Sequence, residues 1–95
     1  MVTNYARGAS YERLCVKALK KQGYTVANRS AGSHGLFDVF GIALDHVIYI
    51  QVKSTPGDAS KAIESIESAD LCRADNIIYE VWEKRSRGWR ITRLR

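Results

Sequence analysis

The sequence has few of the features that mark a secreted, membrane-spanning or disordered protein. Its 95 residues contain one proline and no internal repeat or low-complexity linker. No apolar run approaches the ~20 residues of a membrane-spanning helix. The amino terminus, Met1-Val2-Thr3-Asn4-Tyr5, lacks the apolar core of a signal peptide. We therefore expect an intracellular protein that forms one domain over residues 1–95 and has no membrane partner.

Cysteine is also scarce. Cys15 and Cys72 stand far apart, without the close spacing of a zinc or redox motif. We assign both to apolar faces of predicted helices, where free cysteine behaves as a small hydrophobic residue. A structural role is therefore favoured over a zinc or redox site.

Acidic residues are outnumbered by basic ones, 10 to 15, which gives a formal net charge of +5. A basic balance favours polyanionic partners such as nucleic acid, although many small proteins are basic without binding it. Hydrophobic residues make up 45% of the chain and charged residues 26%, which is the composition of a folded globule. No small-molecule cofactor is expected.

Apolar residues at helical spacing predict two helices. The first covers Ser10–Gln22, with Ser10 as its N-cap, and the second runs from Lys61 to about Arg73, with Asp58 or Ser60 as its cap. Between the preceding strand and this second helix, Thr55-Pro56-Gly57-Asp58 is interpreted as a break in the chain.

Runs rich in β-branched and aromatic residues predict five strands. They cover residues 24–28, 36–42, 46–53, 77–82 and 89–94. A basic turn, Lys84-Arg85-Ser86-Arg87-Gly88, joins the last two strands. The order α-β-β-β-α-β-β predicts a single α/β domain with a mixed central β-sheet flanked by helices.

Three polar residues lie in strands that are otherwise apolar. Asp38 begins one strand, and Gln51 and Lys53 end the next. A two-residue turn at Leu44-Asp45 would place Asp38 opposite Gln51 and on the face that Lys53 shares. A four-residue turn centred one residue later would oppose Asp38 to Lys53 instead, and a three-residue turn would separate the cluster. No Asn-Gly pair decides the turn length.

Such a cluster suits phosphodiester chemistry. Asp38 and the amide oxygen of Gln51 are hard ligands for Mg²⁺, with Mn²⁺ as the alternative ion, and a backbone carbonyl near Val52 could add a further ligand. Lys53 would orient the attacking water or stabilise charge on the phosphate. Glu12 would complete the metal shell or hold its water.

Further segments strengthen this interpretation. They are Arg7-Gly8-Ala9-Ser10-Tyr11-Glu12-Arg13, Gly23-Tyr24-Thr25-Val26, Arg29-Ser30-Ala31-Gly32-Ser33, Asp38-Val39, Ile50-Gln51-Val52-Lys53 and Gly88-Trp89-Arg90. In these motifs the chain resembles the PD-(D/E)XK nucleases and, within them, the archaeal-type Holliday junction resolvases. The resemblance implies a restriction-endonuclease-like fold and a homodimer that cuts opposed strands of a four-way DNA junction.

The resemblance also implies residue roles. Glu12, Asp38 and Gln51 are expected at the metal site, Lys53 as the catalytic lysine, and Ser30 near the scissile phosphate. Arg13 and Arg29 would contact phosphates. More broadly, basic residues are expected to grip the DNA backbone: Arg7, Arg13, Lys17, Lys20, Lys21, Arg29, Lys61, Lys84, Arg85 and Arg87. Candidate dimer residues are Ile63, Ile66, Trp82 and Trp89, each of which could equally belong to the core.

The chain departs from the family pattern at two positions. Gln51 stands where the family usually has glutamate, although Mrr-type nucleases also carry Gln-x-Lys. Phe37 stands where a proline is usual, at a position that shapes the backbone. The chain is also shorter than cellular resolvases, which suggests a version from a virus or mobile element.

Other functions stay open. A restriction-like or flap-cutting nuclease would use the same residues. A catalytically silent DNA-binding module is kept open by Gln51, and an RNA-binding accessory protein rests on charge alone.

Overall fold

The structure is a computed structural model that describes residues 4–30 and 36–94, with side chains described from Arg7 onward. The chain forms two helices and five strands, in the order that the apolar periodicity predicts. Their bounds are α1 Asn4–Lys21, β1 Val26–Arg29, β2 Val39–Ile42, β3 Val47–Lys53, α2 Pro56–Ser68, β4 Ile77–Lys84 and β5 Trp89–Arg93.

The five strands form one mixed sheet in the order β1-β2-β3-β4-β5. Neighbouring strands are antiparallel except β3 and β4, which are parallel and are connected through α2. A parallel pair needs such a crossover, because the chain must return to the same end of the sheet. The predicted α/β fold with a mixed sheet is confirmed.

Each helix covers one face of the sheet. On the α1 face, Cys15 and Leu19 pack against strand residues that include Val39, Ile50 and Trp82. On the other face, the buried residues of α2 pack against Tyr79 and Val81 of β4. The described helices are not long and apolar enough to cross a membrane.

The turn between β2 and β3 has the two-residue form. Ala43 N donates to His46 O at 2.9 Å, and the register pairs Val39 with Ile50 and Ile42 with Val47. The pairing that the sequence left open is therefore the one centred on Leu44-Asp45.

The helix starts differ from the prediction. Helix α1 begins at Asn4, so Ser10 is not an N-cap but lies inside the helix. The segment predicted as a chain break starts α2: Thr55 is the N-cap, Pro56 occupies the first turn, and the Thr55 hydroxyl accepts a hydrogen bond from Asp58 N. Proline is well tolerated there, since the first helical N–H groups have no partner within the helix.

The second helix also ends earlier than predicted. Cys72 lies after α2 and is exposed, so its assignment to an apolar helix face was wrong. Cys15 is buried, as predicted. Trp82 and Ile66 are 1% and 4% exposed within the domain, which leaves neither available to a dimer contact.

Candidate active site

Three strands have their termini at the same end of the sheet. Because β3 and β4 are parallel and β2 is antiparallel to β3, the end of β3 lies beside the start of β2 and the end of β4. A cleft of about 470 Å³ opens there. It is lined by Arg7, Gly8, Tyr11, Glu12, Asp38, Val52, Lys53, Ser54, Thr55 and Asp58. The cleft therefore brings together Glu12, Asp38 and Lys53, which are far apart in sequence.

Asp38 is held by the backbone of β3. Its Oδ2 accepts a hydrogen bond from Val52 N at 2.9 Å, and its own N donates to Ile50 O at 2.9 Å. Burial raises the pKa of Asp38, and the negative charge of Glu12 raises it further, while the Val52 N–H and the charge of Lys53 oppose this shift. The carboxylate is thus more easily protonated than an ordinary aspartate.

Glu12 and Arg29 form an ion pair at the cleft. Arg29 Nε donates to Glu12 Oε1 at 3.0 Å, and the two side chains are 35% and 22% exposed. Glu12 lies inside α1, rather than near its start, and faces the last residue of β1. Ser30 follows directly, and its N donates to Asp38 O at 2.8 Å. The remaining loop residues of the resemblance, 31–33, lie outside the described residues.

Gln51 is placed differently from Asp38. Its register partner is Val81, on the α2 face, whereas Val52 pairs with Trp82 on the α1 face. Regular pairing between β2 and β3 stops at Val39, so Asp38 is not the ladder partner of Gln51. The expected opposition of Asp38 and Gln51 falls outside the regular ladder, but Asp38 bonds the residues on both sides of Gln51: its N donates to Ile50 O, and its Oδ2 accepts from Val52 N. Gln51 is not among the residues that line the cleft.

The Gln51 side chain has an unsatisfied oxygen. Its Oε1 is buried and accepts no hydrogen bond from the described residues. A buried polar atom without a partner is unfavourable by about 1–3 kcal/mol, so it marks a place where a cation would be stabilising. Within residues 4–30 and 36–94, no three His, Cys, Asp or Glu side chains gather closely enough to hold a metal alone. Asp38 and Gln51 fit a hard divalent cation only in combination, as carboxylate and amide.

The basic turn between β4 and β5 lies at the same end of the sheet as Lys53. Lys84 Nζ donates to Arg85 O at 2.6 Å, and its ammonium lies 5.7 Å from the ring centroid of Trp89. Arg85 Nε pairs at 2.9 Å with Glu83, which is itself buried. Arg87 is exposed on the turn. Of the other predicted DNA contacts, Arg7 and Arg13 are exposed on α1.

Sequence reasoning gave no site role to five residues of the cleft. They are Gly8, Tyr11, Ser54, Thr55 and Asp58. The signal was present, because Thr-Pro followed two residues later by Asp is typical of a helix start. Read in that way, the segment after β3 becomes the first turn of a helix that begins at the cleft.

Comparison with protein families identifies a family to which the chain is similar. No curated protein matches the chain. The family model described as archaeal Holliday junction resolvase (Hjc) matches residues 3–72, which is 70 of the 95 residues. The match spans α1 through α2 and includes Glu12, Ser30, Asp38, Gln51 and Lys53. The chain therefore belongs to the archaeal Holliday junction resolvase family, a family of nucleases.

Proposed function

We propose that the protein is a DNA endonuclease that resolves four-way junctions by metal-dependent phosphodiester hydrolysis. As a homodimer it would nick two opposed strands. The observation that carries this proposal is the common cleft of Asp38, Lys53 and Glu12, three residues that the family match spans. In such a hydrolysis a carboxylate can hold the metal ion and an ammonium can stabilise charge on the phosphate.

The oxygen donors are proposed to hold Mg²⁺, with Mn²⁺ as the alternative. Asp38, the Gln51 amide and the Val52 carbonyl would hold the ion, and a bound ion would supply polarisation of the scissile phosphate and a more acidic water. Because an amide carries no charge, the site has one negative charge fewer than a pair of carboxylates. Binding of Mg²⁺ is therefore expected to be weaker than at a site with glutamate.

Lys53 and Arg29 act on the substrate itself. Lys53 lies at the end of β3, where its ammonium stabilises charge that develops on the phosphate oxygens. Glu12 restrains Arg29 through the ion pair described above. This contact supports a role for Glu12 in orienting the guanidinium toward a phosphate, in addition to a metal-shell role.

The rest of the chain would bind DNA by its backbone. Arg7, Arg13 and the turn of Lys84, Arg85 and Arg87 supply positive charge, and phosphate contacts orient a substrate without reading its sequence. The proposal is therefore recognition of junction shape rather than of base sequence. The origin in a virus or mobile element stays a prediction.

Cleavage of a synthetic mobile junction tests the proposal. The junction is compared with duplex, flap and single-stranded DNA, each with Mg²⁺ and with Mn²⁺. Paired symmetric nicks in the junction, lost in Asp38→Asn, are the expected result. If the flap is cut faster than the junction, the protein is another kind of nuclease and not a resolvase.

A catalytically silent DNA-binding module is the second candidate. It is favoured by the place of Gln51, which is uncharged and absent from the lining of the cleft. Tight junction binding without cleavage in either metal, by both the natural chain and Gln51→Glu, would select it.

A further inference from the structure

Strand β4 carries two buried carboxylates on opposite faces of the sheet. Glu80 and Glu83 are 5% and 4% exposed, and their odd spacing along the strand sends their side chains to different faces. A buried charge is unfavourable unless it is paired. Arg93 Nε lies 2.7 Å from Glu80 Oε2, and Arg85 Nε lies 2.9 Å from Glu83 Oε2. The two glutamates are therefore alike in burial and in having an arginine partner.

The two carboxylates differ in how fully their oxygens are satisfied. Glu80 Oε1 accepts a hydrogen bond from Trp82 Nε1 at 2.9 Å, and its Oε2 accepts one from Arg93 Nε. Among the described residues, Arg85 at Oε2 is the one partner of the Glu83 carboxylate. The second oxygen of Glu83, Oε1, therefore keeps its lone pairs for a further donor or a cation.

The sheet register places Glu83 beside the residues of the candidate site. In the parallel pairing of β3 with β4, Glu83 lies opposite Lys53. Gln51 lies opposite Val81, which precedes Glu83 by two residues. Register partners share a face, and so do residues two apart in one strand. Gln51, Lys53 and Glu83 therefore lie on one face of the sheet, the face that α2 covers.

An unsatisfied amide oxygen lies next to this carboxylate. Gln51 Oε1 is buried and accepts no hydrogen bond from the described residues. Neighbouring strands are about 4.8 Å apart and two residues span about 6.6 Å, so the Cα atoms of Gln51 and Glu83 are roughly 8 Å apart. Both side chains are long enough to bring an oxygen to a point between them. Carboxylate and amide oxygens are the hard ligands that Mg²⁺ and Mn²⁺ prefer.

We propose that Glu83 supplies the negative charge that position 51 lacks and holds a divalent cation together with Gln51. This inference rests on the proposed function, since it assigns a further ligand to the metal ion of that reaction. Arg85 bonds Oε2 of Glu83, so Oε1 is the oxygen that would bind the ion. Asp38 and Glu83 would then contribute one negative charge each, from the two sides of β3.

Calorimetric titration of the DNA-free chain with Mg²⁺ and with Mn²⁺ tests this ligand. Glu83→Gln keeps the size of the side chain and removes its charge, so it should weaken Mg²⁺ binding by on the order of 10-fold or more. Glu80→Gln is the matched control, because Glu80 is as deeply buried on the same strand but lies on the other face. It should leave the Mg²⁺ affinity unchanged. Melting temperatures measured without metal establish that both variants are folded.

A charge exchange separates a metal ligand from a residue that only supports the fold. Gln51→Glu combined with Glu83→Gln moves the carboxylate from β4 to β3 and should recover the Mg²⁺ affinity of the natural chain. Loss of a structural ion pair with Arg85 would not be repaired in this way. A folded exchange variant that binds Mg²⁺ as weakly as Glu83→Gln overturns the proposal.

Arg85→Ala is a second variant, and it leaves Glu83 in place. Arg85 is 45% exposed, so its removal disturbs little packing. Without the competing guanidinium, Mg²⁺ should bind more tightly. Arg87→Ala removes the same charge from an exposed residue two positions along the turn and should have a smaller effect. If Glu83→Gln does not fold, equal Mg²⁺ affinities of Arg85→Ala and Arg87→Ala overturn the proposal.

Junction cleavage by the same samples tests the proposed function separately. If Glu83→Gln binds Mg²⁺ and cleaves as the natural chain does, the nuclease activity stands and Glu83 is not a ligand. If Glu83→Gln loses Mg²⁺ affinity but the natural chain cuts no junction, the cation site stands and the nuclease activity does not. A natural chain that binds neither Mg²⁺ nor Mn²⁺ overturns the cation site.

Discussion

At the scale of single residues, the two oxygen-bearing side chains differ in what they need. Asp38 is partly buried and close to Glu12, and both conditions disfavour its charged form. The Gln51 oxygen is neutral but lacks a hydrogen-bond donor in the described chain. An added positive charge would stabilise the Asp38 carboxylate. A hydrogen-bond donor or a metal ion would stabilise the Gln51 oxygen.

The raised pKa of Asp38 predicts an unusual acid limit for cleavage. As pH falls, the rate should drop at a pH above the ~3.9 at which an ordinary aspartate titrates. The folded state holds this proton more tightly than the unfolded state, so ionisation of Asp38 lowers the free energy of unfolding as pH rises through the raised pKa. Cleavage rates and melting temperatures measured across roughly pH 4–8, where a carboxyl of raised pKa titrates, test both effects.

Asp38→Asn is the matched variant for that experiment. It should reduce cleavage by on the order of 100-fold or more, without lowering the melting temperature at neutral pH, since it removes a charge that burial disfavours. A large drop in melting temperature would assign Asp38 a structural role instead.

Gln51 allows a pair of opposite substitutions. Gln51→Glu restores the missing charge and should increase Mg²⁺ affinity by on the order of 10-fold, measured by calorimetry and by metal titration of cleavage. Gln51→Met removes the unsatisfied oxygen and should raise the free energy of unfolding by about 1 kcal/mol while it reduces cleavage. If Gln51→Met cleaves as well as the natural chain, the amide is not a metal ligand.

At the scale of elements, the sequence predicted the strands better than the helix ends. Strands β2 and β3 are rich in β-branched and aromatic residues, but the sequence left open the length of the turn between them, which the structure settles through its register. The helix ends depended on capping, where Ser10 and Thr55 are equally plausible N-caps by residue type. Thr55 caps α2 because its hydroxyl accepts a hydrogen bond from Asp58 N, three residues further along the chain, and the sequence carries the signal for this local contact.

Part of the candidate site could be predicted from the sequence, but its geometry could not. Glu12, Asp38 and Lys53 share a cleft, as the motif indicated. Alternation could not anticipate that Asp38 N bonds Ile50 O, the carbonyl of the residue paired with Val39. This departure depends on backbone conformation at the strand start, which side-chain pattern does not encode.

Gly41 provides a test of packing between α1 and the sheet. A methyl group there would lie 3.0 Å from Tyr24 Cδ1 and 3.1 Å from both Ile48 Cγ2 and Leu19 Cδ1. Leu19 and Ile48 are buried, and the Tyr24 hydroxyl is 2.7 Å from His46 Nε2, so none of them moves freely. Gly41→Ala should therefore lower the free energy of unfolding by about 1–3 kcal/mol in chemical denaturation.

Gly57 is the control for Gly41. It lies in α2 with no atom within 4 Å of an added methyl group. Gly57→Ala should raise stability by about 0.5–1 kcal/mol, because alanine loses less backbone entropy in a helix. Equal effects of the two substitutions would show that Gly41 is not limited by space.

At the scale of the whole molecule, basic groups lie both near the cleft and at the far end of α1. Arg87 is exposed on the turn beside that end, while Arg85 pairs with Glu83. Lys21 ends α1, fourteen residues after Arg7 of the cleft, which corresponds to about 21 Å along a helix. The two ends of the molecule therefore differ in their access to a DNA bound at the cleft.

Junction affinity should fall steeply with salt, with a log–log slope of roughly −0.9 per neutralised phosphate on duplex DNA. Arg87→Ala should reduce the magnitude of this slope by about one and weaken binding of all junction sequences alike. Lys21→Ala removes the same charge at the far end and should change the slope less. Equal slopes for the two variants would argue against a DNA site at the cleft end.

The parallel pairing of β3 with β4 has a kinetic consequence. Every pair in it, from Val47 with Ile77 to Lys53 with Glu83, spans the same thirty positions of chain. The antiparallel strands β1 to β3 close through short connections, whereas β4 joins only after α2 has crossed over the sheet. Closing long loops slows folding, so we expect the docking of β4 to limit the refolding rate.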